Sequence, residues 1–136
     1  RDFVALARSN EADILFVLIP SKEEITNVGR FENKYPDITS LFESEHVPYL
    51  DLFPLFSRMT KAGYTLYWTH DGHWNVPGNR LAGFAVACRI LADGSLPVSD
   101  IHKKQNAILD MLSVEFPSFS SESLDSLSEE CRRGFF

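Results

Sequence analysis

The segment Ile14-Leu15-Phe16-Val17-Leu18-Ile19 constrains this chain more than any other. It is an unbroken apolar run of strand length, with Asp13 before it and Pro20-Ser21 after it. A continuous run bounded by polar residues fits a strand buried on both faces of a parallel sheet. Pro20 and Ser21 stop it. A helix from Lys22 to Asn27 is expected next, with Ser21 as its cap and Glu23 and Glu24 favourable in its first turn.

The alternation of strand and helix then continues. Residues 2–9 read as the end of a helix, and 28–36 are polar and irregular. Ile38 to His46 reads as a helix, and Val47 to Phe53 as a second strand. Pro54 to Lys61 is a helix, with Pro54 in its first turn and Gly63 past its end. Tyr64 to Trp68 is a short third strand. After a polar loop, Leu81, Phe84, Ala85, Cys88 and Leu91 recur on one face of the clearest helix. Val76-Pro77-Gly78 opens that helix and Asp93-Gly94 ends it. Ser99 to Leu112 is a further amphipathic helix, with Ile101, Ile108, Leu109 and Leu112 inward. Short connections between alternating strands and helices predict an α/β layered domain over residues 1–112. Seven serines lie between Ser113 and Ser128, so residues 113–136 are expected to be a loosely held C-terminal appendage. Its closing Phe135-Phe136 has the character to dock.

Composition narrows the partners. A net charge of −6 argues against nucleic acid, which needs clustered Lys and Arg. No span approaches the roughly 20 apolar residues of a membrane helix. Two cysteines do not make a disulfide scaffold. Cys88 reads as a small buried hydrophobe and Cys131 lies in the polar tail, and their pairing is left open. The only methionines are Met59 and Met111. The chain is therefore expected to be a processed product or part of a larger protein, and no export signal is visible at Arg1.

The chemistry concentrates in His70-Asp71-Gly72-His73-Trp74-Asn75, between a strand and a helix. Ligands of open α/β sheets bind outside the carboxyl ends of strands. His73 has the chemistry to take a proton from a serine hydroxyl and return it to a leaving group. Asp71 is close enough to accept from its other ring nitrogen, with Gly72 letting the loop turn. The plain alternative is a turn that caps the next helix.

The block Tyr67-Trp68-Thr69-His70-Asp71-Gly72-His73-Trp74-Asn75-Val76-Pro77-Gly78-Asn79-Arg80-Leu81-Ala82 resembles the last conserved block of SGNH (GDSL-type) hydrolases. It most resembles the bacterial branch that includes the alginate O-acetyltransferase-like proteins. Val17-Leu18-Ile19-Pro20-Ser21-Lys22-Glu23 and Leu50-Asp51-Leu52-Phe53-Pro54 are similar to two further pieces of that branch, and the resemblance spans residues 1–93. It implies a three-layer α/β/α, flavodoxin-like parallel sheet, incomplete at its N-terminus. It implies a Ser-His-Asp esterase or O-acyltransferase acting on O-acetyl groups of carbohydrate outside the cytoplasm, without a cofactor. His73 would be the base and Asp71 its orienting acid. Trp74, Asn75 and His70 are the candidate substrate contacts, with Trp74 reading first as a packing residue that shapes the loop.

The family's Gly-Asp-Ser is absent, and Asp93-Gly94-Ser95 is only a reversed look-alike. The nucleophile is thus expected upstream, leaving this chain inactive alone and a sheet edge open to association. Ser21, at a strand-to-helix turn beside Lys22, is the nucleophile candidate within the chain, although it also reads as a helix cap. A second class of reading is a non-catalytic glycan- or protein-binding module. A third is a metal site in which His102 or Glu45 joins His70, Asp71 and His73.

Overall fold

Local capping chemistry decides where the helices of this chain begin and end. The computed structural model describes residues 2–27, 36–94, 99–117 and 121–134. In chain order the elements are α1 (Asp2–Ser9), β1 (Phe16–Leu18), α2 (Lys22–Thr26), α3 (Pro36–Ser44), β2 (Tyr49–Asp51), α4 (Phe53–Lys61), α5 (Val76–Asp93), α6 (Ile101–Glu115) and α7 (Ser121–Arg133). Ser21 caps α2 in a reciprocal box. Its Oγ accepts the Glu24 N–H at 3.3 Å, and the Glu24 carboxylate accepts the Ser21 N–H at 2.6 Å. Pro54 sits in the first turn of α4. Gly94 closes α5 in the left-handed conformation, φ +67°, which glycine adopts without Cβ strain.

The expected three-layer α/β/α parallel sheet is not what the chain forms. The described residues are mostly helical. Their sheet has two parallel strands, with Phe16 opposite Tyr49 and Leu18 opposite Asp51. The segment Tyr64 to Trp68 does not join it. Instead it folds back on its own loop, and only Tyr67 bridges antiparallel to Trp74. The Trp68 N–H donates to the His73 carbonyl at 3.1 Å, and the Leu66 carbonyl accepts the Asn75 N–H at 3.0 Å. Those backbone groups are therefore spent within the hairpin and cannot extend a ladder.

The apolar run is likewise not buried on both faces. Residues 16–18 are half-buried, and Ile19 is 59% exposed. Aromatic packing uses this hydrophobicity instead. Phe16 stacks on Phe42 of α3 at 4.9 Å between centroids and meets Phe3 of α1 edge-on at 6.4 Å.

The main core gathers Leu52, Leu55, Phe56 and Met59 around α4, Leu66 and Tyr67 of the hairpin, and Leu81, Ala85 and Cys88 of α5. The C-terminal segment is part of this core rather than loosely held. Leu127 and Cys131 of α7 are fully buried, and α7 packs on α5 and α6. Cys131 forms a disulfide with Cys88, 43 residues away. Arg58 of α4 forks onto Glu130, with Nη1–Oε1 at 2.8 Å and Nη2–Oε2 at 2.6 Å. Burial alone would raise the Glu130 carboxyl, but Arg58 and the Ser126 hydroxyl outweigh it and hold it below its ordinary value. Residues 28–35, expected to be irregular, and the closing Phe135-Phe136 lie outside the described residues, and Pro36 opens α3.

Closing a loop of this length by a disulfide stabilises a fold by about 4 kcal/mol through the entropy of the unfolded chain. The double variant Cys88→Ala/Cys131→Ala should therefore lose about 2–4 kcal/mol in chemical denaturation. A denaturation midpoint equal to wild type would show that the disulfide adds nothing to the hold that the apolar contacts and the Arg58–Glu130 pair already give α7.

Candidate active site

The hairpin over residues 64–75 presents two unlike faces. Tyr67 and Trp74 are directly opposed, so their side chains share a face. Both rings pack on Phe56, at 6.2 Å and 5.2 Å. The Tyr67 hydroxyl donates to the Pro20 carbonyl at 2.6 Å, and burial pushes its pKa up to about 12. The alternate residues Trp68 and His73 take the other face. Trp68 is 54% exposed and the His73 side chain 87% exposed.

Asp71 and His73 meet on that outer face. Asp71 Oδ1 accepts the His73 backbone N–H at 2.8 Å and pairs with His73 Nδ1. One carboxylate oxygen thus holds both the peptide and the ring two residues on, an arrangement open to Asp in a tight turn. The His73 backbone N–H, followed by the His73 ring, keeps the Asp71 carboxyl below its ordinary value, and the Lys22 charge acts in the same direction. An ionised carboxylate only accepts hydrogen bonds. In the neutral form of the ring the proton therefore sits on Nδ1, and Nε2 is the nitrogen that carries the lone pair. Gly72 between them stands in open space: a Cβ there would meet nothing within 4 Å, and its φ is not positive. The turn does not require glycine at that position.

The other expected residues divide between fold and surface. Asn75 is committed to the fold. Its Oδ1 accepts the Gly78 N–H at 2.9 Å as the cap of α5, and its Nδ2 donates to the Thr65 carbonyl at 2.7 Å. Trp74 packs inward, as described. His70 is exposed on the loop. The Ser21 hydroxyl serves the α2 cap, and among the described residues no serine hydrogen-bonds the His73 ring. Gly94 is the residue that ends α5, and Ser95 lies outside the described residues. Among the described residues no three His, Cys, Asp or Glu side chains gather as a metal site would require, so His102 and Glu45 are not brought to His70, Asp71 and His73.

Sequence reasoning missed the reach of Lys22. Nζ donates to the Trp68 carbonyl at 2.9 Å, to the Thr69 carbonyl at 2.7 Å and, more weakly, to the Asp71 carbonyl at 3.5 Å. A contact between residues 46 to 49 positions apart leaves no periodic signal in a sequence. Trp68, which reads in the sequence only as the end of a short strand, lies exposed on the outer face beside His73.

No family model, no curated protein and no solved structure matches this chain. Among the described residues no helix is long and apolar enough to cross a membrane.

Two outcomes follow from this geometry. A carboxyl-selective NMR titration should place the Asp71 midpoint below the ordinary value of about 3.9. A midpoint at or above that value would mean that the turn does not hold in solution. Asn75→Ala removes a helix cap and the tie to Thr65, and should cost about 1–2 kcal/mol of stability. A loss below about 0.3 kcal/mol, ordinary for a surface change, would show that Asn75 does not anchor α5.

Proposed function

We propose that His73 and Asp71 are the base and orienting acid of a Ser-His-Asp acyl-transfer centre. The reaction would be hydrolysis or transfer of O-acetyl groups on carbohydrate, in a protein related to the SGNH hydrolases. One observation carries this reading: Asp71 Oδ1 engages both the backbone N–H and the ring Nδ1 of His73, leaving Nε2 open to solvent. The proposal rests on the site and on the residues flanking it, not on a layered fold.

The chemistry divides into two steps. A serine Oγ attacks the acyl carbonyl while His73 Nε2 takes the hydroxyl proton. The same proton passes to the departing sugar oxygen, which leaves an acyl-enzyme. Water or an acceptor hydroxyl then attacks that ester while His73 Nε2 takes its proton; the serine Oγ–acyl bond breaks and His73 returns the proton to the serine oxygen, which releases acetate or the acetylated acceptor. Asp71 stabilises the imidazolium in both steps. The serine comes from chain outside these residues, because the Ser21 hydroxyl is engaged at the α2 cap. No cofactor takes part in these steps. The Cys88–Cys131 disulfide supports an extracytoplasmic, oxidising compartment. Among the described residues β1 and β2 each pair on one side only, which supports association through a sheet edge.

The test uses the intact protein and an O-acetylated oligosaccharide, with released or transferred acetate as the readout. His73→Ala should lower turnover at least about 100-fold, the usual weight of general base catalysis. Unchanged turnover in His73→Ala would reduce the dyad to a turn. Glycan binding without turnover in the wild type would favour a non-catalytic binding module instead.

A further inference from the structure

We infer that Lys22 is a positioning residue for the His73–Asp71 pair, a strut that fixes the outer turn of the hairpin from the base of α2. This deepens the acyl-transfer reading and rests on it for its consequence, though not for its geometry. Residues 68–73 are exposed throughout. Within the turn, the Trp68 N–H reaches the His73 carbonyl, the Asp71 N–H reaches the Trp68 carbonyl at 3.4 Å, and Asp71 holds His73. A turn so exposed and so lightly bonded samples many conformations, and a catalytic base tolerates little displacement.

Lys22 removes that freedom. An ammonium has three donors, and three carbonyls of one turn converge on it. The base of the strut is itself fixed. Ser21 and Glu24 close the capping box beside Lys22, Ile25 one turn on is buried, and the Tyr67 hydroxyl clamps the Pro20 carbonyl. The contacts of Lys22 thus couple the end of the β1 run to the turn that carries the dyad. The positive charge also faces the Asp71 carboxylate, which favours the ionised acceptor that His73 Nδ1 needs.

The experiment compares Lys22→Met, Lys22→Arg and, as a control, Lys61→Met on the exposed end of α4. Methionine keeps the length of the stem and removes the donors. The readouts are amide hydrogen exchange at His73, the ¹⁵N signals of the His73 ring, and the denaturation midpoint. In Lys22→Met the His73 amide should exchange at least about tenfold faster, the weight of one charge-assisted hydrogen bond, while global unfolding moves little. The ring signals should shift from protonated Nδ1 toward a mixture of tautomers. Lys22→Arg should keep part of the protection, and Lys61→Met should match wild type. Unchanged exchange and ring signals in Lys22→Met would overturn the strut, whatever the protein catalyses. Altered signals in a protein that shows no acyl transfer would leave the strut standing and remove the proposed reaction.

Discussion

Asn75 is the residue on which the rest of this structure turns. Its backbone N–H closes the hairpin on the Leu66 carbonyl, and its side chain both caps α5 and ties back to Thr65. The end of the site loop and the start of the longest helix are therefore a single residue. Gly78 tightens the joint further, since a Cβ there would lie 2.2 Å from the Leu66 carbonyl oxygen. The hairpin and α5 can approach this closely only because position 78 has no side chain. Leu81, Ala85 and Cys88 then carry the joint into the core, and the disulfide carries it on to α7.

This joint explains why an exposed turn can hold a defined geometry. The inner face of the hairpin, Tyr67 and Trp74, is packed on Phe56 and cannot slip by one residue without exposing both rings. The register of the inner face dictates that of the outer one. His73 and Trp68 stand in solvent because their neighbours are buried. Lys22 then acts on a turn whose two ends are already fixed.

Much of the helical structure was legible in the sequence, because its signals are local. Ser21 with Glu24, Pro54 with Gly63, and the apolar spacing of α5 with Gly94 each specify an end or a face within a few residues. The sheet was not legible. The Ile14–Ile19 run has the composition of a doubly buried strand, yet its phenylalanine is spent on Phe3 and Phe42 of flanking helices. Tyr64–Trp68 also patterns as a strand, and its partner proved to be the loop that follows it. Which partner a strand finds is a non-local fact. The same holds for the pairing of Cys88 with Cys131 and for the grip of Arg58 on Glu130. At the site, Asp71 and His73 were readable because their interaction spans two residues. The reach of Lys22 and the inward turn of Asn75 depend on tertiary placement.

The central claim is that His73, oriented by Asp71, is a base that activates a serine. The most direct measurement treats the intact protein and its His73→Ala variant with a fluorophosphonate, followed by intact mass and peptide mapping. The account predicts one covalent adduct on a serine of the wild type and its loss in His73→Ala. Absence of any adduct, or an adduct of equal yield in both proteins, would contradict it.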